Sequence, residues 1–448
     1  MPEVTVGIDI GTTSVKAVAA DGDGTVLARA RVPHGLHVPA PDRLEHDANE
    51  AWRDGVRAAL AEVVGDLDVR GVNVAAMVPS LAAVDAEGAA LTPGILYGDG
   101  RGLADRSFDM PGNAGEMLGF LRWCAAEVPD AAGYWPAQAV ANRALGGPGV
   151  LDSVSAMSGF PLFDGAGWDA AMVADAGTSP DRLPPVVPGN DPIATLDHLG
   201  GAALGAGVID AFGEQMVAGA DETRDVLVIM GATLITWAVI DEWREEPGLW
   251  TVPHTAPGKT LIGGPSNAGG LFLDWALRLA GEVPEGAVAG LDPRRVPVFI
   301  PYVRGERTPL HDPHRRAALD RLDLSHGPAA VHRAAYEAGG FVVKHHLDLA
   351  KAPGQRIVAT GGGVRADGWV QAVADCTGLP VDVVAVPEGG ALGTAYLARV
   401  AAGLESDASG AGRWARTSHR VDPDPAWADE CAERYERFVE LTGPVGEQ

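Results

Sequence analysis

A chain of 448 residues exceeds what one hydrophobic core organises, so more than one domain is expected. With 46% hydrophobic residues, 21% charged residues and a mean hydropathy of +0.05 it has a globular composition, which excludes a disordered chain. The formal net charge of -26 excludes nucleic acid and anionic membrane as main partners, because either would be repelled.

Cys124, Cys376 and Cys431 are odd in number and form no C-x-x-C pair, so they read as buried or free thiols of a reducing compartment. The opening MPEVTVGIDIG carries an early acidic residue and no long apolar run. It resembles neither a signal peptide nor a membrane span, and a cytoplasmic location is expected.

In chain order, residues 4–10 and 15–20 are β-branched runs split by a glycine turn, which predicts a hairpin, and residues 25–32 add a third strand. Asp47 precedes apolar residues at helical spacing, Ala51, Val56, Ala59, Leu60 and Val63, so a helix follows it. Residues 72–77 and 82–85 read as strands, and 118–126 and 137–145 as helices. Glycine and proline interrupt residues 146–192, which predicts irregular structure. A boundary near residues 212–216 divides the chain into domains 1–213 and 214–448.

The second half repeats the first module, with strands 226–230 and 234–240 on either side of a glycine and threonine turn. Strands at 296–302, 356–359 and 381–384 and helices at 329–349, 369–377 and 391–402 predict an alternating α/β end. Residues 406–412 read as a mobile loop and 425–441 as an outer helix. His345 and His346 read as a solvent or domain-face pair, and Trp52, Trp123, Trp275 and Trp369 as packing residues.

Asp9-Ile10-Gly11-Thr12-Thr13-Ser14-Val15-Lys16 combines a small turn, two hydroxyls and a carboxylate at a strand end. Exposed amides and hydroxyls in such a turn can cradle phosphate oxygens, and Asp9 is placed to hold Mg²⁺, a hard cation that prefers carboxylate oxygen. The same residues also suit a hairpin whose Asp and Gly serve turn geometry alone. Gly231-Ala232-Thr233 takes the equivalent place in the second module, and two such turns favour phosphate binding over chance. Gly361, Gly362 and Gly363 follow a strand and precede a helix, where backbone can approach a flat ligand such as adenosine.

The chain resembles the FGGY family of carbohydrate kinases along most of its length. The resemblance rests on VGIDIGTTSVKAVAADGDG, RLEHDANEAW, LTPGILYGDGRG and FLRWCAAEVPD in the first half. GLWTVPHTAPGK, FIPYVRGERTP, ATGGGVRADGWVQAVADCTGLPV and PEGGALGTAYLA carry it through the second. It implies two actin-like, ribonuclease H-like α/β domains with a cleft between them, and ATP-dependent phosphorylation of a small sugar or polyol, a pentulose first. By the same resemblance Gly11, Thr12, Thr13 and Lys16 form the first phosphate motif, Gly231 and Thr233 the second, and Gly361 to Gly363 the adenosine motif.

Val217-Ala218-Gly219-Ala220-Asp221 is similar to the family's stretch ending in the catalytic aspartate, which implies Asp221 as general base. The family pattern starts a helix at that aspartate, whereas residues 222–230 leave no room here for both a helix and a strand. A catalytically impaired relative acting as a sugar or nucleotide sensor is therefore the alternative. Xylulose-type members carry Met-His-Gly where this chain has Met77-Val78-Pro79, and Asp99 and Arg101 fall where such kinases place polar residues near the substrate. Asp99 and Arg101 equally suit a surface ion pair. A homodimer is the expected assembly, twofold dimers being the commonest.

Overall fold

Alternating Val4, Val6, Ile8 and Ile10 are all without exposure, and their neighbours on the other face are buried, so the strand Glu3–Ile10 is covered on both sides. In this computed structural model, residues 1–103, 115–189, 191–256, 258–284, 286–288 and 290–445 are described. Glu3–Ile10 pairs antiparallel with Ser14–Ala20, which pairs antiparallel with Val26–Pro33, giving the predicted meander. On its other edge Glu3–Ile10 runs parallel to Asp68–Ala76, followed by Ala202–Gly205 and antiparallel Pro192–Leu196. The short strand Val208–Ile209 pairs parallel with the end of Asp68–Ala76, Ile209 opposite Ala76. Ile10 also stands opposite Ala76, so three parallel strands end side by side.

The second sheet repeats this order. Asp225–Met230 and Leu234–Ile240 form the hairpin, Thr260–Ser266 extends it antiparallel, and Trp250–Pro253 adds an outer strand. On the far side come parallel Arg356–Thr360 and Val381–Val384, then antiparallel Thr417–Val421. Each sheet is therefore an antiparallel meander continued by two parallel strands and an antiparallel edge. The helix Pro328–Leu349 packs its buried alanines, Phe341 and Val343 into the second core, where His345 and His346 are also buried, not on the predicted solvent or domain face.

The chain divides into two compact units, residues 1–217 with 388–414 and residues 218–387 with 415–448. This differs from a single division at 213/214, because the segment 388–414 returns to the first unit. Its helix Gly389–Ala401 lies directly on the first sheet: a Cβ on Gly7 would stand 1.9 Å from the Ala391 carbonyl oxygen, and one on Gly71 would stand 2.4 Å from that of Ala398. Only glycine at both strand positions permits that approach. Residues 408–414, overlapping the segment read as a mobile loop, form a 3₁₀ turn that buries Trp414 against Gly24. Among the described residues no helix is long and apolar enough to cross a membrane.

Candidate active site

Ile10 and Val15 close the first hairpin, leaving four residues in its turn, and the Gly11 amide donates to the Ser14 carbonyl at 3.1 Å. Thr13 is exposed and Thr12 half-buried, the Thr12 hydroxyl lying 3.4 Å from the Tyr97 hydroxyl. Two outside residues hold the turn's carbonyls. The His34 amide donates to Thr13 at 3.1 Å, and His46 Nε2 meets the Thr12 carbonyl at 2.8 Å. Trp52 Nε1 donates to His46 Nδ1 at 3.1 Å, which requires a bare Nδ1 and places the ring proton on Nε2. Burial drives the His46 pKa down to about 4, so the ring stays neutral. In the sequence His46 stands inside RLEHDANEAW with no local signal of a role; only its distance to Thr12 supplies one.

Asp9 is 4% exposed and faces Lys16 across the hairpin, Lys16 Nζ donating to its Oδ2 at 3.1 Å. The Asp9 carboxylate is the main cause holding the Lys16 pKa above its ordinary value, opposed by burial, so the ammonium remains charged.

The helix Asp210–Ala218 starts at the residue after Ile209, and Asp210 is therefore set next to Met77 at the ends of parallel strands. Asp210 Oδ1 accepts from the Ala211 amide at 2.7 Å, in the helix's first turn. Burial first, then the Asp9 and Glu214 carboxylates, push its pKa up to about 7, against the pull of the Ala211 amide and Lys16. A half-available carboxylate beside the first turn, at the carboxyl ends of parallel strands, is where α/β folds place their chemistry.

Asp221 does not share that setting. It lies in the turn before Asp225–Met230, where Arg356 donates to the Gly219 carbonyl at 2.9 Å and pairs with Asp225 at 2.7 Å. Gly231 follows the opposite end of that six-residue strand, about 20 Å away at the usual strand rise. Asp221 faces His254 at 3.9 Å, whose Nε2 also meets the Ala220 carbonyl at 3.0 Å. A helix precedes this segment and begins at Asp210. The missed signal was an acid after the apolar pair Val208-Ile209, ahead of Phe212 and Met216 at helical spacing.

The second turn resembles the first. Met230 and Leu234 close it, the Gly231 amide donates to Thr233 at 3.0 Å, and Gly270 and Leu271, opening the helix Gly270–Ala280, donate to Gly231 and Ala232. Thr360 pairs opposite Ile229, so Gly361 to Gly363 begin beside this turn. Gly361 has φ +89°, and Cβ atoms on Gly361 and Gly363 would each stand 2.8 Å from the Met230 carbonyl oxygen. Gly362 is the least crowded of the three, its nearest neighbour being Arg365 Nη1 in ordinary contact at 3.8 Å. The structure thus brings the Gly231 turn and the glycine triplet together.

Met77 is 2% exposed. Asp99 and Arg101 bond each other: Nε and Nη2 donate to the two carboxylate oxygens at 2.8 and 2.7 Å. Arg101 also pairs with Glu45 at 2.7 Å and lies 4.4 Å over the Trp123 ring, while Asp99 accepts from the Leu44 amide at 2.6 Å. They form a buried internal pair, not a surface one.

Two copies of one sheet order, each with a glycine turn at its central hairpin, define a protein of the actin-like ATPase class. Residues 4–105 match the FGGY family of carbohydrate kinases, N-terminal domain, and residues 226–402 match its C-terminal domain. The chain is similar to the xylulose kinase of Escherichia coli (strain K12), 27% identical over 452 residues covering 89% of this chain and 90% of that one. It is also similar to the gluconokinase of Bacillus licheniformis, 25% identical over 495 residues covering 98% and 95%. The solved structure of xylulose kinase from Rhodospirillum rubrum superposes with a TM-score of 0.76 at 28% identity, covering 98% of each chain. The chain belongs to the FGGY family of carbohydrate kinases and is a sugar kinase.

Proposed function

We propose that the chain transfers the γ-phosphoryl group of ATP to a sugar hydroxyl, a pentulose being the first candidate, with Asp210 in place of Asp221 as general base. The observation that carries this reading is Asp210 at the head of its helix, with a pKa near 7 and with Asp9 and Lys16 close enough to act on it. Near neutral pH such a carboxylate accepts the proton of the attacking hydroxyl as its oxygen bonds to phosphorus, worth about 10²–10⁴-fold. The relatives' names leave xylulose and gluconate as acceptors to compare.

Thr12, Thr13 and the amides of the first turn would contact phosphate, with Lys16 supplying positive charge. Gly231, Thr233 and Gly361 to Gly363 offer the second unit's nucleotide contacts, Gly362 being the one with room for a ligand. Mg²⁺ would neutralise phosphate charge. Among the described residues no group of three His, Cys, Asp or Glu side chains could hold a metal alone, which suits a cation carried by nucleotide phosphates and one carboxylate, Asp9. The nine-residue helix behind Asp210 supports transfer over the sensor alternative.

The test is ADP release across pentuloses, hexuloses, polyols and gluconate. Release that depends on one of these acceptors is expected. Equal ATP hydrolysis with and without any of them would contradict the proposal, and binding of both ligands without transfer would favour the sensor.

A further inference from the structure

Next to Met77 and Val78, in the first unit, lies a cavity of about 10 Å³, room for a single oxygen atom. Its polar lining comes from Ser80, Gln138, Ser155 and Ser158. Gln138, 1% exposed on the helix Ala137–Ala144, donates through Nε2 to Asp152 Oδ2 at 2.9 Å and to the Ala206 carbonyl at 2.7 Å. Both partners are acceptors, which settles the amide's orientation. Its Oε1 is left buried without a hydrogen bond, and the Ser155 hydroxyl, though near enough to Asp152 to pull that carboxyl's pKa down, has no partner in hydrogen-bond geometry. Buried polar groups are rarely left so in a native fold, and two around one socket mark a missing occupant.

The socket is tied to the reacting end of the sheet. Ala206 and Gly207, which clamp Gln138, lead straight into Val208, Ile209 and Asp210, and a Cβ on Gly207 would stand 1.5 Å from Gln138 Nε2. Ser158 already donates its proton to the Ser155 carbonyl at 2.6 Å, leaving its lone pairs as acceptors. Ser80 accepts from the Ala137 amide at 3.1 Å, so its own proton is available. Among the described residues the lining holds no Lys, Arg or His, and the Asp152 carboxylate lies directly behind Gln138. A carboxylate entering here would face a carbonyl oxygen with no cation to balance it, whereas a hydroxyl can donate to Gln138 Oε1 and accept from Ser155.

We propose that Gln138 and Ser155 form a socket for one hydroxyl of the acceptor, selecting uncharged sugars and polyols over aldonates of the same length. This rests on the reading that the acceptor lies beside Asp210.

Calorimetric binding to the full chain carrying Asp210→Asn tests it without catalysis, using xylulose and xylonate as probes. Xylulose should bind at least tenfold more tightly than xylonate. In the otherwise unaltered enzyme, Ser155→Ala should raise the KM for xylulose about tenfold, the loss of one hydrogen bond, with kcat within about twofold and an unchanged melting temperature. Gln138→Leu should raise it further. Ser155→Ala keeps the test open where Gln138→Leu fails to fold. Equal or tighter binding of xylonate, or of neither probe, overturns the proposal. So does a Ser155→Ala enzyme with altered melting and unaltered KM, the mark of a buried structural water. Turnover retained in Asp210→Asn would instead count against the base, and the xylulose to xylonate ratio would still judge the socket.

Discussion

His46 Nε2 donates to the Thr12 carbonyl across 2.8 Å, and Trp52 fixes the direction of that bond by donating to the other ring nitrogen at 3.1 Å. One neutral imidazole thus helps set the path of the first hairpin turn. His46→Phe, which keeps the ring's bulk and removes its donor, should raise the KM for ATP by about tenfold while changing kcat less, as measured by initial rates.

The same ring predicts a pH dependence of stability. Its folded pKa of about 4 lies below the ordinary value of 6.5, so between these limits the unfolded chain binds a proton that the folded chain does not. Stability from this group therefore falls as pH drops from 6.5 towards 4. His46→Gln, which keeps an N–H donor but does not titrate, should flatten the decline of melting temperature between pH 6.5 and 5. His346, also held at about 4, contributes the same sign in the second unit and should leave part of the slope in place.

Asp210 acts in the opposite sense. Its pKa is raised from 3.8 to about 7, so the folded chain binds the extra proton between these values and loses stability as pH rises through that window. Asp210→Asn should melt roughly 2–4 °C higher at pH 8 and show little difference at pH 4. In the unaltered enzyme kcat/KM should fall below about pH 7 as the base protonates.

The glycine triplet separates packing from binding. Gly363→Ala would drive a Cβ to 2.5 Å from the Trp369 ring and 2.8 Å from the Met230 carbonyl, and should cost roughly 1–3 kcal/mol in denaturant unfolding. Gly362→Ala meets nothing within 3.8 Å, so it should leave stability nearly unchanged and weaken nucleotide binding, read by titration with ATP.

The carboxyl-terminal helix Ala428–Thr442 is anchored by one buried acid. Glu337 is without exposure and accepts from Arg333 at 2.8 Å and from Arg434 at 2.7 and 2.8 Å. Glu337→Leu would leave two buried guanidinium groups short of a partner and should cost about 3–5 kcal/mol, measured by chemical denaturation.

Much of this was legible in the residues themselves. The hairpins around Gly11 and Gly231 follow from β-branched runs broken by glycine, both local signals. Asp210 was not, because Val217-Ala218-Gly219-Ala220-Asp221 carries the resemblance to the family's catalytic stretch, and only the position of Val208–Ile209 beside Asp68–Ala76 puts Asp210 at the ends of parallel strands. The return of residues 388–414 to the first unit depends on Gly7 and Gly71, more than 300 positions away, and on nothing local. Trp414 is buried by the same return, which is why a polar, glycine-rich stretch looked like a free loop.

Initial rates of sugar-dependent ADP release by Asp210→Asn and Asp221→Asn, compared with the unaltered enzyme, separate the two carboxylates most directly. Asp210→Asn should lose at least about 10²-fold in kcat while still binding ATP, and Asp221→Asn should stay within a few fold. The reverse ranking, or equal activity in both variants, would contradict Asp210 as the base.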